Sequence, residues 1–195
     1  DSDPTDYNGH GTHVAATIGA VGNNGTGSAG VCWLTKIMAV RVLDAGGSGS
    51  TADIVAGINY AVAEGAHVIN MSLGGGSSDF AMNTALTNAN TSNVVVVVAA
   101  GNDGTNNDGS SPSYPCNYLQ PNLLCVAALD QAYSLASFSN YGATSVDVGA
   151  PGTNIVSAWN GTRAPAYTDT FNTAGSINWT RNTVSGSAWG YKLFA

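Results

Sequence analysis

Asn8-Gly9-His10-Gly11-Thr12-His13-Val14-Ala15-Ala16 sets an imidazole between two glycines and runs straight into an apolar, helix-favouring stretch, residues 14–20. The pattern predicts that His10 stands in the first turn of a helix, where the flanking glycines let another backbone or a substrate come close. Histidine is the side chain whose ordinary pKa suits proton transfer near neutrality, so the motif can supply a general base. Two plainer uses compete with that one. A histidine at a helix start can be a surface or capping residue. His10 and His13 also share a helical face and could ligate zinc together. Against zinc, the glutamate of the zinc-protease pattern is missing and His67 is the chain's one other histidine.

Asn102 is the second candidate, in Ala99-Ala100-Gly101-Asn102-Asp103-Gly104. A side-chain amide at the carboxyl end of a strand can donate to charge developing on a carbonyl oxygen, although asparagine in such a turn is also ordinary turn chemistry. Two more glycine loops follow strand-like runs: Asp44-Ala45-Gly46-Gly47-Ser48-Gly49 and Ser72-Leu73-Gly74-Gly75-Gly76. In a parallel sheet all three loops leave the same edge, with N–H and C=O groups unobstructed for pairing with an extended peptide. The stretch Gly47-Ser48-Gly49-Ser50-Thr51-Ala52 also fits the dinucleotide fingerprint. That fingerprint wants an acid about 20 residues on, and Asn70-Met71-Ser72 offers none.

The elements that must position these residues alternate. Residues 36–43 read as a strand. Residues 51–64 read as a helix with Ile54, Ile58 and Val62 at four-residue spacing, opened by Ser50 and Asp53 as a capping box and closed by Gly65. A strand at 67–72, a helix at 79–90, the five-valine run 94–98 and a strand at 123–129 follow. An unbroken β-branched run fits a strand buried on both faces, hence a parallel, doubly wound α/β sheet covered by helices, with ligands at the carboxyl ends of the strands. Beyond residue 130 the pattern shortens, through 146–148 and 154–158. From about residue 160 it turns polar and aromatic.

A chain of 195 residues with 44% apolar side chains can bury a sizeable core. Only 9% of residues are charged, against the usual quarter. A net charge of −7 with five basic residues and no basic run argues against nucleic acid, and no apolar run is long enough for a transmembrane helix. Of three cysteines, Cys116 and Cys125 either close a small loop, as in an oxidising compartment, or stay as two thiols beside one strand. Cys32, in apolar company, reads as a buried thiol.

Together the motifs resemble the subtilisin-like serine peptidases (subtilases). They occur in family order: Asn8 to Ala16; Met38-Ala39-Val40-Arg41-Val42-Leu43 leading into Gly47-Ser48-Gly49; Val68-Ile69-Asn70-Met71-Ser72-Leu73-Gly74-Gly75; Ala99-Ala100-Gly101-Asn102; Ala136-Ser137-Phe138-Ser139-Asn140-Tyr141-Gly142; and Gly149-Ala150-Pro151-Gly152. The resemblance covers residues 1–159 and implies a three-layer α/β/α sandwich around a mostly parallel sheet, truncated at both ends. It implies a secreted, monomeric endopeptidase acting on polypeptides, with His10 as general base and Asn102 as the oxyanion-hole amide. Ser72, Leu73 and Gly74 would line the pocket for the residue before the scissile bond, opposite Ala99, Ala100 and Gly101. Gly47, Ser48 and Gly49 would form the other substrate edge, and His13 would be structural. No cofactor is implied for catalysis. Val21, Asn23, Asn24 and Thr26 match a loop that binds a structural Ca²⁺ in many members.

Two triad members have no counterpart. Asp1, Asp3 and Asp6 stand too close to His10 to supply the family's aspartate, and the Gly-Thr-Ser-Met-Ala nucleophile segment is absent. Ser185-Gly186-Ser187-Ala188 would need a deleted threonine and lacks the apolar helix that should follow. Residues 160–195 read instead as an irregular tail, the start of an inserted β-sandwich module, with the serine supplied further along a longer parent. The contrasting reading is a subtilase-like peptide-binding protein that has lost its nucleophile.

Overall fold

The computed structural model describes residues 3–75 and 77–159. The tail at 160–195, with Ser187, lies outside them. The elements are α1 (His10–Gly19), α2 (Thr51–Ala63), β1 (Val68–Met71), α3 (Phe80–Thr91), β2 (Val95–Ala99), β3 (Leu123–Leu129) and β4 (Val148–Pro151). The four strands are all parallel, in the order β1-β2-β3-β4, so the described sheet advances in one direction without the reversal of a doubly wound sheet. Register pairs Met71 with Val98 and Val98 with Cys125, which brings the carboxyl ends of β1, β2 and β3 to one edge.

Local chemistry sets the helix ends. Ser50 caps α2 as expected, its Oγ accepting from the Asp53 N–H (3.2 Å), but the Asp53 carboxylate takes the Ser50 hydroxyl (2.7 Å) where a full capping box would take the Ser50 N–H. Asp79 caps α3 by accepting from the Met82 N–H, and the Tyr118 hydroxyl bridges the N–H and C=O of Asp79. The apolar faces of α2 and α3 pack on each other and on the sheet. Leu86, Val96, Val98 and Cys125 are almost wholly excluded from water. Burial of each of the larger ones is worth roughly 1.5–3 kcal/mol against exposure.

Three expectations need correction. The valine run is not buried on both faces: Val96 and Val98 enter the core with α2 and α3, whereas Val95, pointing the other way, keeps 43% of its surface. Residues 36–43 form no ladder among the described residues. They nonetheless alternate as a strand would, Thr35 and Ile37 packing on Gly19 of α1, Val40 and Val42 on Gly57 of α2. The apolar alternation thus reports two helical neighbours, without the backbone pairing that defines a strand. Cys32 is exposed rather than buried, because Val31 and Leu34 around it also face solvent. The other two cysteines are joined, Cys116–Cys125, stapling the loop before β3 to the middle of that strand.

Candidate active site

His10 opens α1 as its motif predicts. Gly9 before it holds φ +102°, a left-handed turn open to glycine, and the chain then enters the helix. Asp6 fixes that turn: one carboxylate oxygen accepts from the N–H groups of Asn8 and Gly9, the other from the N–H and hydroxyl of Thr12, all at 2.8 Å. Burial alone would raise the Asp6 pKa, but these bonds outweigh it and hold the carboxyl below its usual value. Asn8 reaches across to the Ala45 carbonyl (3.0 Å), tying the histidine turn to the first glycine loop.

The His10 ring stands over the end of β1, with Nε2 3.2 Å from the Ser72 carbonyl oxygen. A carbonyl only accepts, so Nε2 carries the proton in this contact. Burial lowers the His10 pKa, the Ser72 carbonyl opposes that shift, His13 adds to it and Asp6 opposes it; the net effect is downward, which favours the neutral ring. His13 turns away: its Nε2 donates to Ile155 O (3.3 Å) and its own carbonyl accepts from Ser157 Oγ, anchoring α1 to the segment after β4. No group of three or more His, Cys, Asp or Glu gathers among the described residues, so the zinc reading of His10 and His13 gains no third ligand.

The substrate-edge residues divide into two sets. Gly47, Ser48 and Gly49 face Leu73 and Gly74 across one cavity of about 240 Å³, floored by Leu43 and Met82. Ser72 is buried beneath the His10 ring. Ala99, Ala100 and Gly101 lie outside that cavity's lining, with Ala100 in the core, and continue β2 to the same sheet edge. Asn102 follows, half-buried, in the turn beyond β2, the strand that pairs with β1, which Ser72 follows.

That turn is held by two buried amides that sequence reasoning did not single out. Asn140 donates its backbone N–H to Gly101 O (2.9 Å), and its Oδ1 accepts from the N–H of Asp103 (2.8 Å) and of Thr105 (3.2 Å). Its Nδ2 donates to Asn107 Oδ1, and Asn107 Nδ2 donates to Ala100 O. Gly101, at φ +122°, has no room for a side chain, since a Cβ there would stand 2.2 Å from Asn140 Nδ2. Periodicity cannot flag such residues, because they sit in loops and their burial comes from long-range packing. The only trace was the position of Asn140 inside the Ala136–Gly142 motif.

In the loop Val21, Asn23, Asn24 and Thr26, the donor set is oxygen-only and neutral. Asn24 Oδ1 accepts from the Thr26 N–H, and the Thr26 hydroxyl donates to Asn24 O. Ca²⁺ takes about six to eight oxygens, so these residues fit it as part of a shell rather than as a closed cage.

A family model described as "Subtilase family" matches residues 1–188. The chain is 48% identical over 163 residues to a thermophilic serine proteinase of Bacillus sp. (strain AK1), covering 84% of this chain and 39% of that protein. It is 45% identical over 159 residues to thermitase of Thermoactinomyces vulgaris, covering 82% and 54%. A crystal structure of a cold adapted subtilisin-like serine proteinase superposes with a TM-score of 0.71 at 38% identity, covering 82% of this chain and 54% of that one. The chain thus spans about two-fifths to just over half the length of these relatives.

Proposed function

The chain belongs to the subtilase family, and from that premise we propose that it is the histidine- and asparagine-bearing part of a serine endopeptidase working by an Asp/His/Ser triad. The observation that carries the reading is the His10 ring over Ser72 O at 3.2 Å, on the sheet edge where β2 also ends. His10 acts as the base that takes the serine proton and returns it to the leaving amine. For that, Nε2 must be bare. A carboxylate at Nδ1 would bind the ring proton there and free Nε2 from its bond to Ser72 O; the whole protein supplies that carboxylate and the serine. The span of this chain against its relatives supports placing both groups elsewhere in the whole protein. Burial aids the same step by favouring the neutral ring.

Asn102 donates its amide to the oxyanion, worth roughly 3–4 kcal/mol of barrier. The peptide substrate extends between the Gly47–Gly49 and Ser72–Gly74 edges, with Ala99–Gly101 as the opposite wall. Val21, Asn23, Asn24 and Thr26 contribute some ligands to a structural Ca²⁺. Secretion is part of the proposal, supported by the Cys116–Cys125 disulfide, a bond at home in oxidising compartments.

Active-site labelling tests the assignment. The whole protein should react with a fluorophosphonate probe and hydrolyse casein, whereas residues 1–195 alone should do neither. Whole protein that stays unlabelled while binding peptides would make it a cleft-bearing protein without a nucleophile. Labelling of residues 1–195 would return the serine to this chain.

A further inference from the structure

We infer that Asn140 is a positioning residue for catalysis, holding the Asn102 amide at the oxyanion through the two peptide groups on either side of it. The inference rests on the proposed role of Asn102 and deepens it. The bracing is two-sided: the Asn140 backbone N–H holds Gly101 O before Asn102, and Asn140 Oδ1 holds the Asp103 and Thr105 N–H groups after it. Asn140 is itself fixed, being 1% exposed and donating to Asn107 Oδ1 at 3.0 Å. Asn107, equally buried, is locked to Ala100 O at the strand end and accepts Asn117 Nδ2 on its carbonyl. Gly101 lets the backbone press against the Asn140 amide with no side chain between.

This arrangement has a catalytic consequence because an oxyanion donor works by preorganisation. Its value depends on already standing where charge develops, and not on being free to find that place. A half-buried asparagine in a four-residue turn would otherwise sample several rotamers and turn shapes. The bracing removes the backbone part of that freedom without touching the substrate. Asn140 therefore acts on the transition state through Asn102, and peptide binding at the Gly47–Gly49 and Ser72–Gly74 edges, which it does not touch, should not feel it.

The test is a double-mutant cycle in the whole protein, with each variant first shown to unfold cooperatively. Asn102→Ala should lower kcat about 10²–10³-fold. Asn140→Ala should lower kcat about 10²-fold, as a misplacement of around 1 Å can, with KM changed less than roughly twofold. In the Asn102→Ala background, Asn140→Ala should cost almost nothing more, because the group it positions has gone. If Asn140→Ala does not fold, Asn107→Ala serves instead: it removes the partner that fixes Asn140 Nδ2 while leaving Asn140 Oδ1 on Asp103 and Thr105, introduces no buried charge, and should show a smaller kcat loss with the same dependence on Asn102. Equal kcat losses with Asn102 present and in the Asn102→Ala background, or a loss carried by KM, overturn the positioning role. An Asn102→Ala protein with unchanged kcat shows instead that the oxyanion reading has failed, and this inference falls with it.

Discussion

The two halves of the candidate site are built differently. The Asn102 half is complete within the chain: its turn leaves a core strand, is bracketed by buried amides, and lies beside a disulfide that joins the Asn107–Asn117 region to β3. The His10 half is peripheral. Among the described residues none of α1 is buried, and the helix is held by the packing of Thr35 and Ile37 on Gly19 and by polar contacts: Asp6 at its start, Ser72 O at His10, and Ile155 with Ser157 at His13. The difference teaches where stability and chemistry part company. The Asn102 side derives its geometry from the folding core, whereas the His10 side depends on a few hydrogen bonds and, in the proposed reading, on groups that meet it from the rest of the protein.

The sharpest way to break this comparison is to remove His10. In the whole protein, His10→Ala should reduce kcat/KM by about 10⁴–10⁶-fold while the melting temperature moves far less than the activity. A mild kinetic loss would take His10 out of the mechanism.

Removing the disulfide should give the opposite profile. Cys116 and Cys125 are nine residues apart, and opening so small a loop costs about 2–3 kcal/mol in the chain-entropy account. Cys116→Ser with Cys125→Ser should therefore lower the denaturant midpoint and speed amide exchange in β3. Unchanged midpoints would mean that the Asn102 half does not rely on its staple.

Legibility followed the same divide. Helices α2 and α3, strands β1 to β3 and the placement of His10 were readable, because each has a period, a cap or a closing glycine within a few residues. Strand β3 falls at 123–129 in both readings. The loops after β1 and β2 leave one sheet edge, as parallel topology dictates, whereas the loop Gly47–Gly49 meets the first of them across the cavity although residues 36–43 join no ladder. What escaped was long-range. Residues 36–43 carry a strand's alternation because two helices face them, Cys32 sits in an apolar string that the fold leaves in solvent, and Asn107 and Asn140 matter through partners some 30 residues away. The Cys116–Cys125 pairing also stayed open until the structure settled it, as spacing alone allowed both states.

A smaller effect should come from Asp6. Its carboxylate satisfies N–H groups at the start of α1, and loss of such a cap costs about 0.5–2 kcal/mol. Because α1 is peripheral, Asp6→Ala should raise amide exchange at Thr12 and His13 while protection in β2 and β3 holds. Equal loss of protection in β2 would show that α1 and the sheet unfold as one unit.

The smallest effect, and the most discriminating between the halves, is that of pH. Burial lowers the pKa of His10 and of His13 below the usual 6.5. The unfolded chain therefore binds protons first as pH falls, so the stability these rings give is full above 6.5 and declines as the pH drops through their folded values. Asp6 is lowered from 3.8, so its contribution is retained above that value and lost only in stronger acid. Between pH 6.5 and about 4 the cost of charging the partly buried His10 and His13 rings should loosen α1 before the core responds, even though a protonated His13 still donates to Ile155 O. Amide exchange at α1, corrected for its intrinsic pH dependence, should rise over that window while β2 and β3 stay protected. Loss of protection in all three at once would erase the distinction between a peripheral His10 helix and a core-built Asn102 loop.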